Sequence, residues 1–134
     1  LSMIPSTTGA AKAIGLVLPE LAGRLDGLSV RVPTPNVSLV DLTFIAENAP
    51  ESVEAINDIL RAGAQKLPAG VIECNEEALV SCDFNGYPAS CVADLSQTRV
   101  QGELVKVMAW YDNEWGFSNR MLDVLLHWDG AKSA

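Results

Sequence analysis

Apolar residues are grouped in short blocks whose spacing changes along the chain. The strongest strand signal is Val37 to Ala46, rich in Val, Leu, Thr and Phe, with Asp41 as its only charge. It is apolar on both faces for part of its length, as in a strand covered from two sides. Leu104 to Tyr111 predicts another good strand. Leu28 to Val32, Leu79 to Phe84, Ser90 to Leu95 and Thr98 to Val100 predict shorter ones. The period changes between Ser52 and Leu67, where Val53, Ile56, Leu60, Ala64 and Leu67 recur at steps of three and four, which predicts an amphipathic helix. Ser52 would cap it, Glu51 and Glu54 sit near its positive end, and Pro68 stops it. A further helix is predicted from Glu114 or Trp115 to about Trp128, with Trp115, Met121, Leu122, Leu125 and Leu126 on its apolar side.

The start of the chain is different. Pro5 to Ala13 reads as a loop feeding a helix that Thr7 or Thr8 caps, and Pro19 and Gly23 close it. Pro33-Thr34-Pro35-Asn36 holds an extended kink, Asn85-Gly86-Tyr87-Pro88 a turn, and Gln101-Gly102 a tight turn. The order is helix, two strands, helix, a run of strands, helix. Strands joined by short turns pair antiparallel, so the expected class is α+β: a largely antiparallel or mixed sheet with helices on one face.

Composition narrows the function. The chain has 134 residues, one domain's worth, and 49% of them are apolar, enough for a core. A net charge of −8 argues against nucleic acid or an anionic membrane as a partner, since both need a basic face. No apolar run approaches the roughly 18 residues of a membrane span, and nothing at the start reads as a leader. Leu1 in place of Met suggests a piece of a longer chain. Three cysteines, Cys74, Cys82 and Cys91, fit no metal-ligand spacing, and their odd number suggests a reducing, cytoplasmic location. They are expected to be small packed residues. With His127 the only histidine, neither a histidine metal site nor a Cys–His pair is expected.

Three segments hold more functional chemistry than packing needs. Ser6-Thr7-Thr8-Gly9 offers hydroxyls, backbone N–H groups and a glycine at a helix start, which suits an oxyanion or simply caps the helix. Arg31 stands in an apolar strand before the proline bend. Its planar fork either joins a structural ion pair or holds a phosphate. Trp110 to Phe117 sets four aromatics around Asp112-Asn113-Glu114. Asn113 has an amide that can pair with another amide, such as a nicotinamide carboxamide, while Asp112 or Asn113 can equally cap the helix. No glycine-rich nucleotide loop occurs.

Together these segments resemble phosphorylating glyceraldehyde-3-phosphate dehydrogenase. The resemblance rests on Pro5-Ser6-Thr7-Thr8-Gly9-Ala10-Ala11-Lys12-Ala13, on Arg31-Val32-Pro33-Thr34-Pro35-Asn36-Val37-Ser38, on Val40-Asp41-Leu42-Thr43, and on Trp110 through Arg120. It runs from about Ile4 to Asp123 and implies a partial C-terminal catalytic domain over residues 1–134, with the Rossmann domain that binds NAD or NADP outside it. By resemblance, Thr8 and Gly9 sit at the site of the attacking inorganic phosphate and Arg31 holds the phosphate of the sugar phosphate substrate. Asn113 hydrogen-bonds the nicotinamide. Phe117 stands where many members have tyrosine. The catalytic cysteine and histidine of the family match no position here, so the chain alone is expected to be inactive. The Trp115-Gly116-Phe117 run is shared with the related erythrose-4-phosphate dehydrogenases. The family forms homotetramers, so self-association is expected. The alternatives are a stand-alone, non-catalytic interaction or oligomerisation module of the same fold, or a fragment of an erythrose-4-phosphate dehydrogenase.

Overall fold

The computed structural model describes residues 1–132. They form two compact units, Leu1–Pro35 and Asn36–Ala134. The architecture is α+β with a mixed sheet, as the strand and helix order predicts.

The first unit contains β1 (Ile4–Thr7), α1 (Ala10–Val17), a 3₁₀ turn at Pro19–Leu21 and β2 (Leu28–Arg31). Strands β1 and β2 pair antiparallel, from Ile4 opposite Arg31 to Thr7 opposite Leu28. Alternation puts Ile4, Ser6, Ser29 and Arg31 on one face of this ribbon and Pro5, Thr7, Leu28 and Val30 on the other. The Ser6 and Ser29 hydroxyls hydrogen-bond at 2.7 Å across it. The expected loop at Pro5–Thr8 is therefore mostly strand. Proline and three hydroxyl residues read as a loop, but proline is tolerated in a two-stranded ribbon, where each strand has a free edge.

The second unit is built on β7 (Leu104–Tyr111). Along one edge it pairs antiparallel with β3 (Ser38–Ile45) through eight residue pairs. Along the other edge it pairs with β5 (Cys91–Asp94) at one end and β6 (Arg99–Gln101) at the other. Strand β4 (Ile72–Asn75) runs parallel to β5. Gly102, at φ +61°, makes the tight turn between β6 and β7. Lys106 and Asp41 form an ion pair at 2.6 Å across β7 and β3.

Helix α2 (Val53–Lys66) begins where expected, with the Ser52 hydroxyl accepting from the Ala55 N–H at 3.1 Å. Arg61 binds Glu54 and Asp58 on the same helix and Glu76 just past β4, which fastens α2 to that strand. Helix α3 (Trp115–Lys132) is held through Arg120, which donates to the Gly70 carbonyl and pairs with Asp123.

Two strand expectations need correction. Leu79–Phe84 is not a strand; Ser81–Phe84 is a 3₁₀ turn. The Asp83 carboxylate accepts the Val80 N–H at 2.8 Å, a local bond that competes with sheet pairing. The strand Ile72–Asn75 was not anticipated, because four residues with Glu73 and Asn75 among them carry no clear period. Parallel pairing with β5 supplies the stability that its own sequence lacks.

The core is small. Phe84, Ala89 and Val92 are buried, with Val37, Leu79 and Trp110 packed against them. Phe84 stacks on Trp110 with centroids 5.4 Å apart, and the Trp110 indole N–H reaches Asp94 at 3.0 Å. Much apolar surface stays exposed. Along β3, Leu39, Val40, Leu42 and Ile45 are open, and along α3 the large apolar side chains from Trp115 to Trp128 are 51–72% exposed.

Gly116 is buried where the first turn of α3 crosses Ala89, and a Cβ there would lie 2.8 Å from the Ala89 carbonyl oxygen. In a helix interior alanine gains about 1 kcal/mol over glycine, and the gain is smaller at a first turn. Overpacking against backbone costs about 1–3 kcal/mol. Gly116→Ala is therefore expected to destabilise the second unit by roughly 1 kcal/mol, read as a lower urea midpoint. A midpoint equal to or above the parent's would show that the Ala89 carbonyl gives way.

Candidate functional site

In the first unit, Thr8 and Gly9 link β1 to α1. Gly9 occupies the cap position with φ −85° and ψ −4°, and no side chain caps from that position. The Thr8 hydroxyl accepts the Ala10 N–H at 3.2 Å. The expected threonine cap is thus one residue early: Thr8 satisfies a first-turn donor, but glycine holds the boundary. Gly9 leaves open space where a Cβ would stand, and the Ala10 N–H is already taken by the Thr8 hydroxyl.

Arg31 lies at the opposite end of the β1–β2 ribbon. It is exposed and has no ion pair or side-chain hydrogen bond within its unit. The structural ion pair weighed as its alternative role is therefore not formed there. Thr7 pairs with Leu28, three residues from Arg31 along β2. The two candidate anion positions thus lie at opposite ends of a ribbon about 10 Å long. Between them on the Arg31 face lies the Ser6–Ser29 hydroxyl pair.

In the second unit, the β7–α3 turn carries Asp112 and Asn113, and their roles divide. Asp112 is 4% exposed and accepts four hydrogen bonds. Its Oδ1 takes the N–H groups of Glu114 at 3.2 Å and Trp115 at 2.9 Å, which starts α3. Its Oδ2 takes the Gly86 N–H and the Asn36 Nδ2, both at 2.9 Å. Asp112 is the helix cap. Asn113 caps nothing; it is exposed, and its Oδ1 accepts from the Ser38 hydroxyl at 2.8 Å.

Val37, between Asn36 and Ser38, has φ +73°. The left-handed region is strained for a β-branched residue and costs about 1–3 kcal/mol. Packing against the Phe84 cluster and the flanking bonds of Asn36 and Ser38 hold it. The sequence reading missed Asn36, Ser38 and Gly86 as partners of this turn. The available signal was a pair of polar residues flanking a valine at a strand entry.

Cys74 and Cys91 lie on neighbouring strands β4 and β5, and burial pushes both thiols up from their ordinary pKa. Both are partly buried, whereas Cys82 is exposed, so packing accounts for only two of the three. His127 sits on exposed α3. Among the described residues no cluster of three or more potential metal ligands occurs, and no helix is long and apolar enough to cross a membrane.

The family description "Glyceraldehyde 3-phosphate dehydrogenase, C-terminal domain" matches residues 1–113. The chain belongs to the glyceraldehyde-3-phosphate dehydrogenase family. It is 62% identical over 123 residues to the chromosomal glyceraldehyde-3-phosphate dehydrogenase of Cupriavidus necator, covering 92% of this chain and 36% of that protein. It is 59% identical over 126 residues to the Pseudomonas aeruginosa protein of the same name, covering 93% and 36%. For that of Xanthobacter flavus the figures are 57% over 124 residues, 92% and 37%. The matches fall on the C-terminal part of these relatives. The chain spans a little over a third of their length, and it is part of an oxidoreductase family.

The bonds that Asp112 accepts, from Gly86 first and then Trp115, lower its carboxyl pKa from its ordinary value. A depressed carboxylate stabilises the fold above its unfolded-state pKa, near 3.8, and that contribution is lost as pH falls through the lower folded-state value. Urea midpoints of the chain should therefore drop in that acid window. Asp112→Asn replaces an acceptor with a donor facing N–H groups. It should cost about 2 kcal/mol at neutral pH and flatten the acid slope. An unchanged slope would assign the acid sensitivity to other carboxylates.

Proposed function

We propose that this chain is the phosphate-anchoring, cofactor-facing part of a phosphorylating glyceraldehyde-3-phosphate dehydrogenase. The whole protein would couple oxidation of a sugar phosphate aldehyde by NAD or NADP to uptake of inorganic phosphate, as a glycolytic enzyme does. The observation that carries this reading is the β1–β2 ribbon. An exposed arginine without an ion pair in its unit ends one side of it, and an open glycine at a helix start follows the other. Thr8 and Gly9 would receive the inorganic phosphate on backbone N–H groups and a hydroxyl. Arg31 would hold the substrate phosphate with its planar fork. Their placement at opposite ends of the ribbon suits two distinct anions.

The residues of the β7–α3 turn fit a nicotinamide. Asn113 has its oxygen engaged and its NH2 group in an exposed turn, which suits the carbonyl of a carboxamide. When bound, the cofactor supplies the hydride acceptor; this chain supplies a hydrogen-bond donor that orients it. The nucleophilic cysteine and the histidine base would come from parts of the protein outside residues 1–134, as would the Rossmann domain. The chain by itself is therefore inert. The apolar surface open on β3 and α3 supports burial against other parts of the protein or other subunits, and hence a homo-oligomer. The odd cysteine count supports a cytoplasmic location.

Inorganic phosphate titrated into the ¹⁵N-labelled chain should give saturable amide shifts at Thr8, Gly9 and Arg31. Thr8→Ala and Arg31→Ala should each remove the shifts at their own end. Dispersed spectra that ignore phosphate would remove the support for these anchors. The purified chain should show no NAD- or NADP-linked oxidation of glyceraldehyde 3-phosphate; a measurable rate would overturn the placement of the catalytic pair elsewhere.

A further inference from the structure

Ser38 stands where the reading of Asn113 needs a second residue. Its backbone is fixed as the first residue of β3, opposite Tyr111 at the end of β7. Its hydroxyl crosses to Asn113, two residues beyond that strand end, and donates to Oδ1 at 2.8 Å. Asp112 fixes the turn, taking the Gly86 N–H and the Asn36 side-chain amide on one oxygen and the N–H groups of Glu114 and Trp115 on the other. None of those bonds touches the Asn113 side chain. An exposed asparagine has a broad terminal torsion, and a half-turn about it exchanges a donor for an acceptor. One hydrogen bond to its oxygen is enough to fix which end faces outward.

We infer that Ser38 is a positioning residue for Asn113: its hydroxyl holds the amide oxygen inward and turns the NH2 group outward as a donor. The inference rests on the proposed nicotinamide contact for its use, but not for its geometry. A purely structural role is a poor account of the bond. Eight residue pairs already join β3 to β7, so one exposed side-chain bond adds little to that ladder. The backbone beside it is also strained. Val37 holds φ +73° between Asn36 and Ser38, and both neighbours are bonded to the same turn. Strain retained at such a junction is the pattern of a preorganised site.

The test uses the ¹⁵N-labelled chain, with Asn113→Ala to assign the side-chain amide signal and free nicotinamide as the probe. Ser38→Ala should lower the order parameter of the Asn113 NH2 group and leave the backbone peaks of the β3–β7 ladder in place. Ser38→Thr keeps the hydroxyl and should restore the order. Nicotinamide should shift the Asn113 NH2 signal in the parent, and Ser38→Ala should weaken that binding by about 3- to 10-fold, the scale of one neutral hydrogen bond. Unchanged NH2 order in Ser38→Ala overturns the inference. So does an NH2 group whose proton exchange is slowed by donation to Ser38 in the parent, because the amide would then be turned the other way. A parent that ignores nicotinamide, with NH2 order still lost in Ser38→Ala and regained in Ser38→Thr, upholds the positioning and overturns only the cofactor contact.

Discussion

A single buried carboxylate organises the second unit. Asp112 is acceptor-only when ionised, and all four of its bonds here come from N–H groups. Those donors belong to three stretches that the sequence keeps far apart: the entry to β3 at Asn36, the turn at Gly86, and the first turn of α3. Burying a carboxylate without partners would be very costly, so all three stretches must converge. The charge also lies at the positive end of α3, where the helix dipole favours it. The turn at Gly86 follows Phe84, the largest side chain of the small core, so the same carboxylate fixes how that core closes.

Strand β7 provides the frame on which this convergence is built. It is paired on both edges, and its C-terminal end brings Trp110 onto Phe84 just before the chain reaches Asp112. The aromatic stack and the indole bond to Asp94 lock the strand end from two directions. Apolar burial elsewhere is modest: Val105 is fully buried, while most of the large apolar side chains on α3 are not. Hydrogen-bonded junctions add to this burial. The junction of β7, β3 and α3 is the best supplied of these.

The sequence showed the long elements clearly because their periods are strong. Val53 to Leu67 repeats at helical steps with a serine cap and a terminal proline, and α2 follows it closely. Leu104–Tyr111 is a strand with the predicted bounds. The elements that were missed depend on partners distant in sequence. Ile72–Asn75 becomes a strand because β5 lies beside it, and Ile4–Thr7 because β2 does. Leu79–Phe84 has strand-like residues, yet Asp83 closes a local bond that no periodicity count registers. At the functional turn, Asp112 and Asn113 stood out as a polar pair among aromatics, but only the fold separates them. The acceptor surrounded by N–H groups is the cap, and the amide left outside is the candidate contact.

The charge of the chain then limits how its candidate anion sites can act. At a net charge of −8 the long-range field repels phosphate rather than gathering it. Attraction must come from groups within a Debye length, about 8 Å at physiological ionic strength. Arg31 meets that condition because no carboxylate of its own unit pairs with it. Arg61, by contrast, is bound to Glu54, Asp58 and Glu76 and has no fork left to offer. Thr8 and Gly9 would meet it without a charged side chain, through N–H groups at the start of α1. These two devices sit at opposite ends of the β1–β2 ribbon. An acidic protein can hold two phosphates at once only when each site has its own local source of attraction.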